Sequence, residues 1–308
     1  MSDIFLHATN HAHESTWELL LHAFMDGLKD GLLSLPILFI AYLLMELLER
    51  SRRLDEGVLR AYSRKAGPAV GSLLGAIPQC GISGAAATLF STGSVTVGTM
   101  LAVFFATSDE MLPIMLSSLA DGKSVSIQEI GLILAGKVLL GITLGYLADA
   151  LLGKWIRHHK DIHSFCAREH CACDEEEGNV FLSALKHTLK IAAMLIVVNI
   201  ALNLLFEFIG VEKLSGTILN KPIIGELLLG LFGLIPNCSV SVVLTESYLS
   251  GVIGIGGLFS GLLSNAGIGL LVLFRSNKQH KENFVIVATM LLLSVIAGIA
   301  ITAVSSII

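Results

Sequence analysis

Gly75-Ala76-Ile77-Pro78-Gln79-Cys80-Gly81-Ile82-Ser83 has a counterpart later in the chain, Gly233-Leu234-Ile235-Pro236-Asn237-Cys238-Ser239-Val240-Ser241. The Gly, the Ile, the Pro, a side-chain amide (Gln79 or Asn237), the Cys and a closing Ser keep register without a gap, and further on Gly93 and Gly98 stand opposite Gly251 and Gly256. So many special residues at one spacing mark two copies of one structural unit. Both copies lie in apolar surroundings. There a proline removes a backbone donor and crowds the preceding turn, so the helix must break at Pro78 and at Pro236. Inside a bilayer a broken helix is tolerated only where protein or a wetted cavity surrounds it, and transporters place substrate at such breaks.

The rest of the chain suits a membrane setting. Apolar residues make up 54% of it and charged residues 15%, and the net charge is −5; mean hydropathy is +0.77. A soluble domain carries about 25% charged residues, so these values describe an all-α polytopic membrane protein. The basic residues fall in short clusters, which gives no footprint for nucleic acid. Met1-Ser2-Asp3 lacks a basic leader region, so no cleaved signal is expected there. No phosphate-binding Gly-rich loop, nucleotide motif or catalytic triad is present, which argues against an enzyme and leaves an ion gradient, a partner or the cargo's own gradient as the energy source.

Charge places the loops. Arg50, Arg52, Arg53, Arg60, Arg64 and Lys65 form the strongest positive cluster, and Lys154, Arg157 and Lys160 a second one. Basic loops stay on the cytoplasmic side, so both are expected inside and both termini outside. Apolar runs at 32–48, 95–119 and 127–152 then leave the Pro78 segment, 67–90, to enter and leave on one side, because arms of about ten residues are too short to cross alone. The second half repeats the plan upside down: runs at 185–208, 253–274 and 285–307 cross, and the Pro236 segment, 223–249, dips and returns. The expected fold is an inverted-topology repeat with two broken-helix hairpins meeting at the midplane. Residues 1–152 form the first membrane repeat behind a His-rich tail at 1–30, residues 153–182 a cytoplasmic His/Cys-rich loop, and residues 183–308 the second, inverted repeat.

Candidate site residues follow from that plan. Gln79, Cys80 and Ser83 with Asn237, Cys238 and Ser241 line the two breaks and are expected to bind substrate. Thiols there suit thiophilic ions or metalloids, although a buried free Cys is otherwise an ordinary small hydrophobe. Asp109 and Glu110 interrupt an apolar run, and Lys137 in the next run is the natural counter-charge. Ionisable groups inside spans are costly unless paired or wetted. Burial and a neighbouring ammonium pull a carboxylate's proton affinity in opposite directions, so this trio is the expected proton-coupling group, a structural ion pair being the plainer reading. Ser264-Asn265 occupies a similar place in the second half. Glu46, Glu49, Glu207 and Glu226 lie near span ends and read as interfacial, and Glu246 stands where the first half has Thr88. His163, Cys166, His170, Cys171 and Cys173 are dense in soft donors within one polar loop; the spacing is not that of a zinc finger, so a soft metal ion is expected there in a regulatory or delivery role. No cofactor is required.

Ile77-Pro78-Gln79-Cys80-Gly81, the run Ala106-Thr107-Ser108-Asp109-Glu110, Ile235-Pro236-Asn237-Cys238-Ser239 and the central His/Cys loop together resemble the ten-helix heavy-metal exporter family, related to ArsP-type organoarsenical permeases and labelled as arsenic efflux or manganese transporters. The resemblance covers nearly the whole chain and implies a bacterial inner-membrane efflux permease driven by protons. Cysteines handle trivalent arsenic in the ArsP-type permeases; here only Cys80 and Cys238 fall in membrane segments. The leading expectation is therefore proton-coupled efflux of a soft heavy metal or metalloid. A divalent-cation (manganese) transporter using Asp109, Glu110, Gln79 and Asn237, and an anion or organic-acid carrier using helix N-termini, are the alternatives. Expected partners are the lipid bilayer, the metal or metalloid cargo and protons, with a homo-oligomer as a further option.

Overall fold

The computed structural model describes residues 56–78, 80–107, 110–120, 125–153, 155–156 and 223–306, with isolated positions 39, 43, 185, 189, 193 and 197. The His-rich tail, the His/Cys-rich loop with its five candidate metal ligands, Gln79 and Asp109 lie outside the described residues. The runs expected at 32–48 and 185–208 also lie outside them, except for single helical positions. Among the described residues all regular structure is helical. The elements are α1 (Glu56–Gly75), α2 (Cys80–Ser91), α3 (Val97–Ala106), α4 (Met111–Ala120), α5 (Ile127–Leu152), α6 (Ile224–Gly233), α7 (Cys238–Leu249), α8 (Ile255–Ser264), α9 (Gly269–Ser276) and α10 (His280–Ser305).

The repeat read from two short motifs runs through the helix boundaries. α2 and α7 start at 80 and 238 and end at 91 and 249; α3 and α8 start at 97 and 255 and end at 106 and 264; each pair of boundaries is 158 apart. α5 and α10 are both 26 residues long but stand 153 apart, 127 to 280, because in the first half both α4 and the connection after it are longer than their counterparts. The turns after α2 and α7 match as well, with Gly93 at φ 82° and Gly251 at φ 75°, a region in which a side chain is strained.

Two differences from the expected plan have physical causes. α1 is twice the length of an arm. It begins at Glu56 among the basic residues, whose straight side chains favour helix, and runs through Pro68 to Gly75. More important, the two runs expected as plain crossings, 95–119 and 253–274, are each broken in the middle. α3 and α4 are separated by residues 107–110, and α8 and α9 by residues 265–268. A side chain that competes with the helix backbone stands at each stop: the Thr107 hydroxyl donates to the Val103 carbonyl at 2.8 Å, and Asn265 Oδ1 accepts from the Gly267 N–H at 2.9 Å.

Packing explains why the breaks are tolerated. α3 lies between α1 and α5, and α8 lies between α6 and α10. All of Val97–Ala106 is buried, and all of α8 beyond Ile255. The unbroken helices are peripheral: Leu132 and Leu139 of α5 are 69% and 63% exposed, and Leu292 of α10 is 60% exposed. Four segments, Val97–Leu119, Ile127–Leu152, Ile255–Ser276 and His280–Ser305, are long and apolar enough to cross a membrane. Intact helices with apolar outer faces enclosing interrupted ones is the arrangement a bilayer requires, since free backbone groups find no partner in lipid.

Small residues set the spacing. A methyl built on Gly98 of α3 would overlap the Gly145 carbonyl of α5, and one on Gly256 of α8 would overlap Thr302 of α10 and come within 2.5 Å of the Gly298 carbonyl. This close, lipid-type packing of helices is held by polar fasteners. Ser72 Oγ donates to the Val138 carbonyl at 2.7 Å, and Ser264 Oγ to the Gly230 carbonyl at 2.7 Å. Glu226, near the end of its span, is packed among the helices at 5% exposure. It accepts from its own helix start, the Ile223 N–H at 2.6 Å, and from Thr302 of α10 at 2.7 Å.

One fastener joins the two halves. Tyr248 at the end of α7 donates to Glu129 in the first turn of α5 at 2.7 Å. In the mirror position the residues are Phe90 and Glu282, so a phenyl ring fits this environment. Tyr248→Phe is expected to fold and to lose about 1 kcal/mol, one net hydrogen bond, read as a lowered thermal midpoint of the purified protein. An unchanged midpoint would remove this bond from the set that holds the halves together.

Candidate functional site at the junction of four helix breaks

The four interruptions, 76–79, 107–110, 234–237 and 265–268, meet in one region. A methyl on Gly75, the last residue of α1, would lie 3.1 Å from Ala106 Cβ, the last residue of α3. In the second half, Gly233 at the end of α6 abuts Ser264 at the end of α8. The link between halves is at Gly269, the first residue of α9, where a methyl would lie 2.9 Å from Ser83 Cβ of α2 and 2.7 Å from the Phe104 ring of α3. Across the halves, α2 packs on α9 and α7 on α4. The expected direct meeting of the two Pro tips thus takes a different form. Each helix that follows a tip lies against the second arm of the other half's broken span.

Most of the expected substrate residues belong to this junction. Cys80 and Cys238 are the first residues of α2 and α7, where the helix field favours negative charge. Ser83 is 0% exposed and Ser241 3%. Asn237, 1% exposed, is the N-cap of α7, and its Oδ1 accepts from the Ser239 N–H at 2.9 Å. The amide expected to bind cargo therefore already uses its oxygen to start the helix.

The coupling trio is partly in view. Lys137 is fully buried in α5, and its Nζ donates to the Thr107 carbonyl at the end of α3. It therefore satisfies an orphaned carbonyl of the broken span, on a residue two before Asp109 in the sequence. Glu110 is half-buried at the start of α4. The helix register gives the second-half counterparts. Asn265 stands where the first half has Thr107, Gly267 where it has Asp109, and Met290 where it has Lys137. One break carries ionisable side chains and the other carries none.

Sequence reasoning passed over Asp149. Its Oδ1 accepts from the Gly98 N–H and its Oδ2 from Thr96 Oγ1, both at 2.7 Å, so a carboxylate of α5 caps the start of α3. An acid close to the end of an apolar run was the available signal. Asn277, Glu282 and Asn283 form a second buried polar knot between α9 and α10, with Asn277 Nδ2 donating to Asn283 Oδ1 at 2.6 Å and Asn283 Nδ2 to the Asn277 carbonyl at 2.7 Å. That knot closes a turn. Among the described residues no group of three or more His, Cys, Asp or Glu side chains is placed to hold a metal ion.

The described residues define a helical membrane protein with a buried, interrupted centre. No protein-family model, no curated protein and no solved structure matches the chain.

Proposed function

We propose that this protein is a secondary active transporter that exports a soft metal or metalloid through the junction of the four breaks. The convergence of two interruptions from each repeat, enclosed by intact helices, is the observation that carries the reading. Breaking a helix at membrane depth costs hydrogen bonds, and a site for cargo is the use that repays it. In this reading the halves have opposite orientation and rock about the junction. Protons compete with cargo through Asp109 and Glu110, balanced by Lys137, and the thiols of Cys80 and Cys238 take the thiophilic element. The manganese reading is weakened because the Asn237 oxygen, one of its ligands, already accepts the Ser239 N–H.

Two measurements test this. Proteoliposomes with an imposed pH gradient are expected to transport arsenite or antimonite faster than Mn²⁺ or small carboxylates. The double variant Cys80→Ser/Cys238→Ser should lose most of that rate at an unchanged protein level. Undiminished transport by the double variant would turn the assignment towards divalent cations or anions. Thiol-accessibility labelling should place the 50–65 and 154–180 loops on one face; finding them on opposite faces would defeat the inverted repeat.

A further inference from the structure

The two seams between the halves are closed in different ways. Where α2 lies on α9, Gly269 allows close approach, a methyl there standing 2.9 Å from Ser83 Cβ. Where α7 lies on α4, the matching position is Met111, fully buried, so a side chain fills the space that glycine leaves open. The α7 side also carries a polar bond at its far end. Tyr248 in the last turn of α7 donates to Glu129 in the first turn of α5 at 2.7 Å, one residue from each half. At the mirror positions Phe90 has no hydroxyl to give, and Glu282 is buried with Asn277 and Asn283.

Position and exposure suit this bond to opening. Glu129 precedes Lys137, which reaches the break at Thr107, by just over two turns of α5, and Tyr248 stands at the opposite end of α7 from Cys238. The helical rise sets the bond roughly 12–15 Å from the breaks, about half the thickness of a bilayer's hydrocarbon, so it lies at a membrane surface. α5 runs from there to the basic residues Lys154, Arg157 and Lys160 beyond its other end, which makes that surface the outer one. Both partners are half-buried, and water can take up the hydroxyl and the carboxylate when they separate. A fully buried charged partner would make the same step far costlier.

We propose that the Tyr248–Glu129 bond is the outer gate of the transport cycle: made, it holds the halves together at the outer surface while cargo enters the junction from the cytoplasm, and it breaks each time the halves part outwards. This rests on the transport reading above and assigns control of access to that same junction. Phe90 stands at the mirror position on the cytoplasmic side, so the resting protein favours closure to the outside.

The test is the rate at which a membrane-impermeant maleimide modifies Cys80 and Cys238, the first residues of α2 and α7, in the full-length protein, read by mass spectrometry at each cysteine. Reagent is added outside intact cells or to inverted vesicles, which present the cytoplasmic face. Tyr248→Phe is expected to raise modification from outside about fivefold, the population shift set by one net hydrogen bond, without raising it from the cytoplasmic face. Glu129→Gln keeps an acceptor oxygen and should fall between Tyr248→Phe and wild type. Faster modification from both faces would mean general loosening, and unchanged rates a fixed fastener; either result overturns the gate and leaves the transport reading standing. The face-specific change in a protein that moves neither arsenite nor antimonite in proteoliposomes would uphold the gate and remove the transport reading instead.

Discussion

Lys137→Met, which installs the residue found at the matching place in α10, is expected to abolish pH-driven transport and to destabilise the protein together. Lys137 is fully buried and its ammonium holds the last carbonyl before the break between α3 and α4. The variant orphans that carbonyl and strips positive charge from a segment carrying Asp109 and Glu110. Breaking a buried charge arrangement by removing one partner costs about 3–5 kcal/mol, a large share of a typical stability. Met290 shows that the fold accommodates a thioether at the corresponding position when the neighbouring break is neutral. The informative comparison is therefore with Lys137→Met/Asp109→Asn, in which the charge is balanced again. That double variant should regain most of the thermal midpoint while transport across a pH gradient stays absent. Asp109→Asn alone should lose pH dependence but keep part of its cargo binding. If the double variant transports at the wild-type rate with wild-type pH dependence, the trio is structural and the coupling group lies elsewhere.

Gly256→Leu should prevent folding, and Gly98→Leu should do the same from the other half. Each glycine is the point at which a buried broken span touches the last long helix of its repeat. The first atom of a new side chain would occupy the place of Thr302 Oγ1 in one case and the Gly145 carbonyl in the other. Backbone cannot give way as a flexible side chain can, so the cost exceeds the usual 1–3 kcal/mol or so of an overpacked core. Gly131, also on α5, has nothing within 4 Å of a built methyl, and Gly131→Ala should be neutral or slightly stabilising because it removes chain entropy from the unfolded state. The yield of monodisperse protein after detergent extraction separates these cases. Normal yields for Gly256→Leu would mean that α8 and α10 do not approach as described.

The transport experiments and these stability experiments address different links of the argument. Loss of folding in the glycine variants tests the packing of the broken spans. The Lys137 variants test what the charged break is for. The asymmetry between the breaks joins them. The same backbone interruption occurs twice, so its cost is met twice, yet one copy carries ionisable side chains in its sequence and the other carries none.

Composition, the matched Gly-Ile-Pro-amide-Cys segments and the apolar run lengths were enough to establish a helical membrane chain containing two copies of one unit. Those are one-dimensional signals: a proline stops a helix wherever it falls, and a spacing of 158 between special residues can be counted along the chain. Ser83 and Ser241 could be marked in the same way, because they lie inside the repeated segment. The breaks in the second pair of spans were not legible. Thr107 and Asn265 are weak helix formers, yet such residues also occur inside helices, and partners from elsewhere stand at each stop: the Lys137 side chain at the first, and the α2 helix beside Gly269 after the second. Long-range contacts also decided that each post-tip helix packs across to the opposite repeat and that Glu226 and Asp149 bind partners on other helices. Burial and hydrogen-bond satisfaction are properties of which segments surround a residue, and local sequence does not carry that information.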